Sequence, residues 1–245
     1  MVERRTFIRA LATILVSQAR GYEVWAQEQQ PQPPSGIGVD PDYDGPLPPL
    51  GVLGQDKPTT AERKIAGDIL AAAPSGPTPF DVASFFMEIG NGKYSPDWKP
   101  YIQGWPVRWN PLIVRLFRET RTDPDRFDDT PWCAAFVNWC YQRASSNVAT
   151  NSPSSGSFRC FGSETRHPRP GDIVVFKTLG AEDSCIGQGH VGFFVRDLGN
   201  KIQVLGGNQV MGRQHHMICS EAIEKKGHRL TLHSYRTEKR LHRTA

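Results

Sequence analysis

No stretch of the chain approaches the roughly 18 consecutive apolar residues that a spanning helix needs, which excludes a polytopic membrane protein. Cysteine is scarce, with five in 245 residues. That is too few for a mini-scaffold stapled by disulfides in place of a core. Neither CxxC nor HExxH spacing occurs, and the adjacent His215 and His216 point in different directions, so no zinc framework is written here. No internal repeat is present. A strong charge excess is missing too: the formal charge is +4, and the first 26 residues hold four arginines against two glutamates, leaving +2 for the rest. Such a balance gives no footing for nucleic-acid binding. What remains is ordinary for a soluble globular protein, 38% hydrophobic and 22% charged, long enough for one sizeable core or two small ones.

The N-terminus reads as an address. Glu3-Arg4-Arg5-Thr6-Phe7-Ile8-Arg9 precedes a modest apolar run from Ala10 to Val16, and Val24-Trp25-Ala26 supplies the small-residue chemistry of a signal-peptidase site. Paired arginines before a weakly hydrophobic segment resemble a bacterial twin-arginine signal, which exports folded protein, with cleavage expected after Ala26. From Gln27 to Pro58 the chain is rich in Gln, Pro and Gly, the composition of an extended, solvated tether. We therefore read residues 1–26 as an export signal, 27–58 as a linker, 59–78 as a helical lead-in and 79–245 as the working domain. From Arg213 onward, eight Lys or Arg face three acidic residues, together with His215, His216, His228, His233 and His242, which predicts a basic C-terminal tail.

Within the working part, helical spacing predicts helices over Ala61 to Ala73 with Thr60 as cap, over Pro79 to Ile89, and over Leu112 to Thr120 after Asn110-Pro111. Then the period changes. Asp172 to Lys177, His190 to Arg196, Lys201 to Gly206 and His228 to Arg236 read as short strands between Gly-rich turns. Helices first and antiparallel strands afterwards make an α+β domain.

The most informative segment is Thr130-Pro131-Trp132-Cys133-Ala134-Ala135-Phe136-Val137-Asn138-Trp139-Cys140. Thr as N-cap and Pro in the first turn place Cys133 at a helix start, where unsatisfied amides and the dipole stabilise a thiolate. Cys140, seven residues on at mid-helix, reads as packing; a rise of about 10 Å keeps the two from pairing. A thiolate needs a base and a group to orient it. His190 enters an apolar strand after glycines at 187 and 189, and Asn208 follows a later strand that ends on Gly206-Gly207.

The order helix-start Cys, strand-entry His, then Asn resembles the papain-like arrangement. With Arg169-Pro170-Gly171-Asp172-Ile173-Val174-Val175-Phe176, Gly189-His190-Val191-Gly192-Phe193 and Gly206-Gly207-Asn208-Gln209, the segment resembles a CHAP-type domain, a branch of the NlpC/P60-like cysteine peptidases and amidases, over roughly Pro79 to Arg236. The resemblance implies a papain-like fold with helices on a small antiparallel sheet. It also implies hydrolysis of amide bonds in bacterial peptidoglycan, with Cys133 as nucleophile, His190 as base and then acid, and Asn208 as the orienting third member. Gly206 and Gly207 stand where many such domains carry a Glu. The backbone N–H of Cys133 is the expected first oxyanion donor. No metal or organic cofactor and no stable membrane insertion are expected. Trp132, and more weakly Trp105 and Trp109, are candidates to line a substrate groove. Among Cys160, Cys185 and Cys219 two can bridge after export, and the pairing stays open. Asp128 and its acidic neighbours read as capping groups. A non-catalytic wall-binding module on the same fold is the alternative.

Overall fold

Three short polar side chains start the helices. In the computed structural model Thr59 accepts from the Glu62 amide at 3.2 Å while the Glu62 carboxylate accepts from the Thr59 amide at 2.7 Å, a reciprocal cap that opens α1 (Thr60–Ala72). Thr78 caps α2 (Pro79–Gly90) through the Asp81 amide at 3.1 Å, with Pro79 in the first turn. The carboxamide oxygen of Asn110 accepts from the Leu112 amide at 2.8 Å to open α3 (Pro111–Leu116), which tightens into a 3-10 turn over Phe117–Thr120. The fourth helix, α4 (Cys133–Arg143), is buried nearly all round. The structure describes residues 54, 56–76, 78–120, 122–124, 127–144, 149–211 and 214–238, all within the unit Asp44–Ala245. The expected export signal, nearly all of the expected linker and the end of the expected basic tail lie outside those residues.

Six antiparallel strands follow: β1 (Ser163–Thr165), β2 (Ile173–Thr178), β3 (Gly189–Asp197), β4 (Lys201–Met211), β5 (Gln214–Glu224) and β6 (Leu230–Thr237), in the spatial order β1-β6-β2-β3-β4-β5. Strands β2 to β5 form a meander, and β6 returns to the free side of β2. This is the α+β architecture expected, helices on an antiparallel sheet. Alternation along the strands divides the apolar residues between two cores. Ile173, Val175, Val191, Phe193 and Leu205 face the helices, where Phe86 meets Phe136 and Trp139 edge-on. Val174, Phe176, Phe194, Ile202 and Val204 form a smaller cluster covered by Ile223, Leu230, Leu232 and Tyr235.

The segment read as a lead-in is built into this core. Ala66 and Ile69 of α1 are fully buried, and Arg143 at the end of α4 donates to Ala71 O and Ala73 O, closing the C-terminus of α1. The expected tail is also partly sheet, since β5 begins at Gln214 and had been assigned no strand. Its outer edge is met by Gln103, bridged to Met217, and by the Gly104 amide, which donates to His216 O at 3.0 Å. Of the three cysteines left open, Cys160 and Cys185 form the disulfide, while Cys219 is free and buried. That bridge and the buried Arg159, which donates to the carbonyls of Glu182, Ser184 and Gln188, fix the loop that leads into β3.

Candidate active site

Trp132, not Thr130, occupies the cap position of α4, and no side chain caps it. Cys133 is therefore the first helical residue, two steps nearer the helix end than a Thr130 cap implies. The thiol is 4% exposed. Three backbone N–H groups act on its sulfur, from Val191, Ala134 and Cys133 itself, each favouring the thiolate. Burial opposes them and prevails, so the thiol lies above its ordinary range. Cys140, on the same helix, is pushed well above that range by burial alone, with no amide to offset it. The contrast reflects the amides around Cys133, the largest contribution being that of Val191 on β3 and the other two those of the helix start.

The third amide follows from the sheet register. Phe194 donates to Asp172 O and Thr178 donates to Gln188 O, so even-numbered residues of β3 spend their backbone groups on β2. Val191, being odd, turns its N–H towards β4. The paired rungs of β3 and β4 start only at Phe193 with Leu205. The amide is thus left for Cys133, and the nucleophile is tied to the residue that directly follows His190.

His190 sits opposite Phe176 at the entry to β3 and is 8% exposed. Its Nε2 is buried without a hydrogen-bond partner. Burial pushes the imidazole down from 6.5 to about 4. The unfolded chain takes up this proton near pH 6.5 and the folded chain only near 4. The associated stability is fully present above about pH 6.5 and is lost as the pH falls towards 4. A shift of this size corresponds to about 3 kcal/mol. In urea denaturation the wild type should lose about 3 kcal/mol more than His190→Gln between pH 7 and pH 4. Equal losses would mean that the ring is not held neutral by burial.

Asn208 has a left-handed backbone, φ 57°, at a bulge between Gly206 and Gln209. Its carboxamide oxygen lies 2.8 Å from His216 Nδ1, and His216 is itself left-handed, φ 58°, on β5. The amide expected to orient His190 is engaged by another histidine. From the sequence His216 figures in a discarded zinc pair and in the basic tail, and nothing local signals that it meets Asn208 across the hairpin.

Trp132 is fully buried, so its ring does not line an open groove. It packs on β4, where a Cβ on Gly207 would come within 2.3 Å of the ring. Trp109 stacks on Phe127 with centroids 5.2 Å apart, and Trp105 donates its indole N–H to Pro100 O. Asp128 is buried and accepts from the amides of Trp105 and Asn110, so it holds backbone some distance before α4. Among the described residues no group of three or more His, Cys, Asp or Glu is placed to hold a metal ion. No helix among them is long and apolar enough to cross a membrane.

No curated protein and no solved structure matches the chain. A family model for the CHAP domain matches residues 125–208, from just before α4 to the bulge of β4. CHAP domains are typically amidases and peptidases, and the match points to peptidoglycan hydrolysis in general. Cys133, His190 and Asn208 all lie inside the matched segment, and residues 125–208 are thus a CHAP domain.

Proposed function

We propose that the chain is a cysteine hydrolase that cleaves amide bonds of bacterial peptidoglycan, as an amidase or an endopeptidase. The observation that carries this reading is the convergence of three backbone amides on the Cys133 sulfur at a helix start, one of them from Val191, the residue that follows the buried, neutral His190. A neutral imidazole accepts the thiol proton as the thiolate attacks the amide carbonyl. The backbone N–H of Cys133, at the uncapped start of α4, donates to the oxyanion that forms. Collapse of this intermediate expels the amine, which leaves with the proton carried by His190. Water then hydrolyses the thioester, with His190 again taking and returning a proton.

The experiment is mass spectrometry of purified peptidoglycan after incubation with the full chain or with Cys133→Ala. Soluble fragments released only by the wild type support the hydrolase, and their masses identify the bond. Undigested wall carrying both proteins in the pellet would replace this reading with a binding module.

We also propose export to the periplasm or cell envelope through the twin-arginine-like segment. The Cys160–Cys185 bridge supports it, because such bonds persist in oxidising compartments. Replacing Arg4 and Arg5 by lysine should leave the chain in the cytoplasmic fraction; unchanged fractionation would remove the twin-arginine route.

A further inference from the structure

Two buried polar atoms on β3 and β4 lack hydrogen-bond partners, each other included, and they are complementary. One is His190 Nε2. The other is the side-chain oxygen of Gln209, a residue 2% exposed. Unpartnered buried groups of this kind are costly and call for an explanation.

Register places the two residues on one face of the sheet. Phe193 pairs with Leu205, and counting back sets Gly192 opposite Gly206; a Cβ on Gly206 would lie 3.5 Å from the Gly192 Cα. His190 shares the face of Gly192, two residues earlier. On β4 the bulge inserts one residue between Gly206 and Gln209, which brings Gln209, not Asn208, back to the face of Gly206. Gln209 Oε1 accordingly stands 2.6 Å from the position that a Gly206 Cβ would take. The glutamine reaches back into the space that the missing side chain leaves.

The amide can be oriented in only one way. Its Nε2 donates to Val204 O at 3.3 Å and faces Glu221 Oε2 at 3.5 Å, while Glu221 also accepts from the Val210 amide at 3.1 Å. With the nitrogen committed to acceptors, the oxygen is the end turned to the notch at Gly206. Asn208, meanwhile, has its own oxygen on His216.

We propose that Gln209 is the positioning residue for His190: the two are not bonded in this structure, and a turn of the imidazole brings its Nε2–H onto the side-chain oxygen, with Glu221 holding the amide in that orientation. The inference rests on the hydrolase reading for its consequence. The Nε2–H tautomer leaves Nδ1 as the atom that takes the thiol proton and later delivers it to the leaving amine. A neutral amide fixes the ring without adding a negative charge beside it, and Gly206 is required because a side chain there would evict the glutamine.

The test uses the full chain with 15N-labelled histidine, reading the tautomer and pKa of His190 by NMR, together with steady-state kinetics on peptidoglycan. Gln209→Leu should move His190 away from the Nε2–H tautomer and lower kcat at least about tenfold, with KM little changed. Gln209→Glu, the conservative change, should restore the tautomer and raise the His190 pKa, carrying the acid limb of the rate profile upward. Asn208→Gly keeps the left-handed backbone without the carboxamide, and should leave the His190 signals in place. Unchanged His190 signals in both Gln209 variants, or a changed tautomer in Asn208→Gly, would overturn the assignment. The NMR readout needs no substrate, so a wild type that cuts no peptidoglycan would defeat the hydrolase reading while the positioning of His190 is still decided.

Discussion

Cys133→Ala should lower peptidoglycan cleavage by on the order of ten-thousandfold, to background, with the fold intact. The size follows from the role: without the sulfur there is no covalent step, and His190 and the oxyanion donor are left to act on water alone. Cys133→Ser sharpens the test. The hydroxyl sits among the same three amides but ionises far less readily than a thiol, so a loss nearly as large is expected. Because the side chain is buried and small, alanine leaves little void, and thermal unfolding should move little. Retention of a tenth or more of the wild-type rate by either variant would mean that another group cuts the bond.

Gly207→Ala should cost about 3 kcal/mol and lower the unfolding midpoint by on the order of 10 °C. Its Cβ would meet two ring carbons of Trp132 at 2.3 and 2.7 Å and the Phe136 Cβ at 2.9 Å. Neither residue has room to retreat, since both are fully buried between helix and sheet. Trp132 is also the cap residue of α4, so any displacement reaches Cys133 directly and activity should fall with stability. Gly206→Ala is the instructive neighbour. Its Cβ crowds the end of the Gln209 side chain, which can swing aside, and meets the Gly192 Cα at an ordinary contact distance, so stability should suffer less. A midpoint for Gly207→Ala within about 2 °C of wild type would show that α4 can slide on β4.

Much of the helical part was legible because local chemistry writes helix starts. Thr78 with Pro79 and Asn110 with Pro111 mark their helices to the residue, and α1 shifts by one because Thr59, not Thr60, completes the reciprocal cap with Glu62. The start of α4 was misjudged by the same logic, because Trp132 takes a non-helical backbone and leaves Thr130 outside. Strand β5 escaped notice because left-handed His216 breaks its alternation, and β1 because three residues carry no period. Gly-Gly-Asn-Gln looks like a turn locally, yet cross-strand pairing with β5 keeps it inside β4 as a bulge. Of the site, Cys133 and His190 are announced by helix start and strand entry. The partner of Asn208 is not, since it lies across a hairpin, and the orphaned oxygen of Gln209 is visible only once Gly206 is seen to be filled from the side.

The contact of Gln103 and Gly104 with β5 bears on how the molecule keeps to itself. An outermost strand of eleven residues is an invitation for another chain to add its own backbone and propagate into an aggregate. Here a bridge at Met217 and a carbonyl of His216 already taken by Gly104 interrupt the row of groups that such an intruder would need. At the opposite margin β1 is only three residues long. Among the described residues the sheet thus ends on one side in a strand crossed by a loop and on the other in a strand too short to template a long pairing.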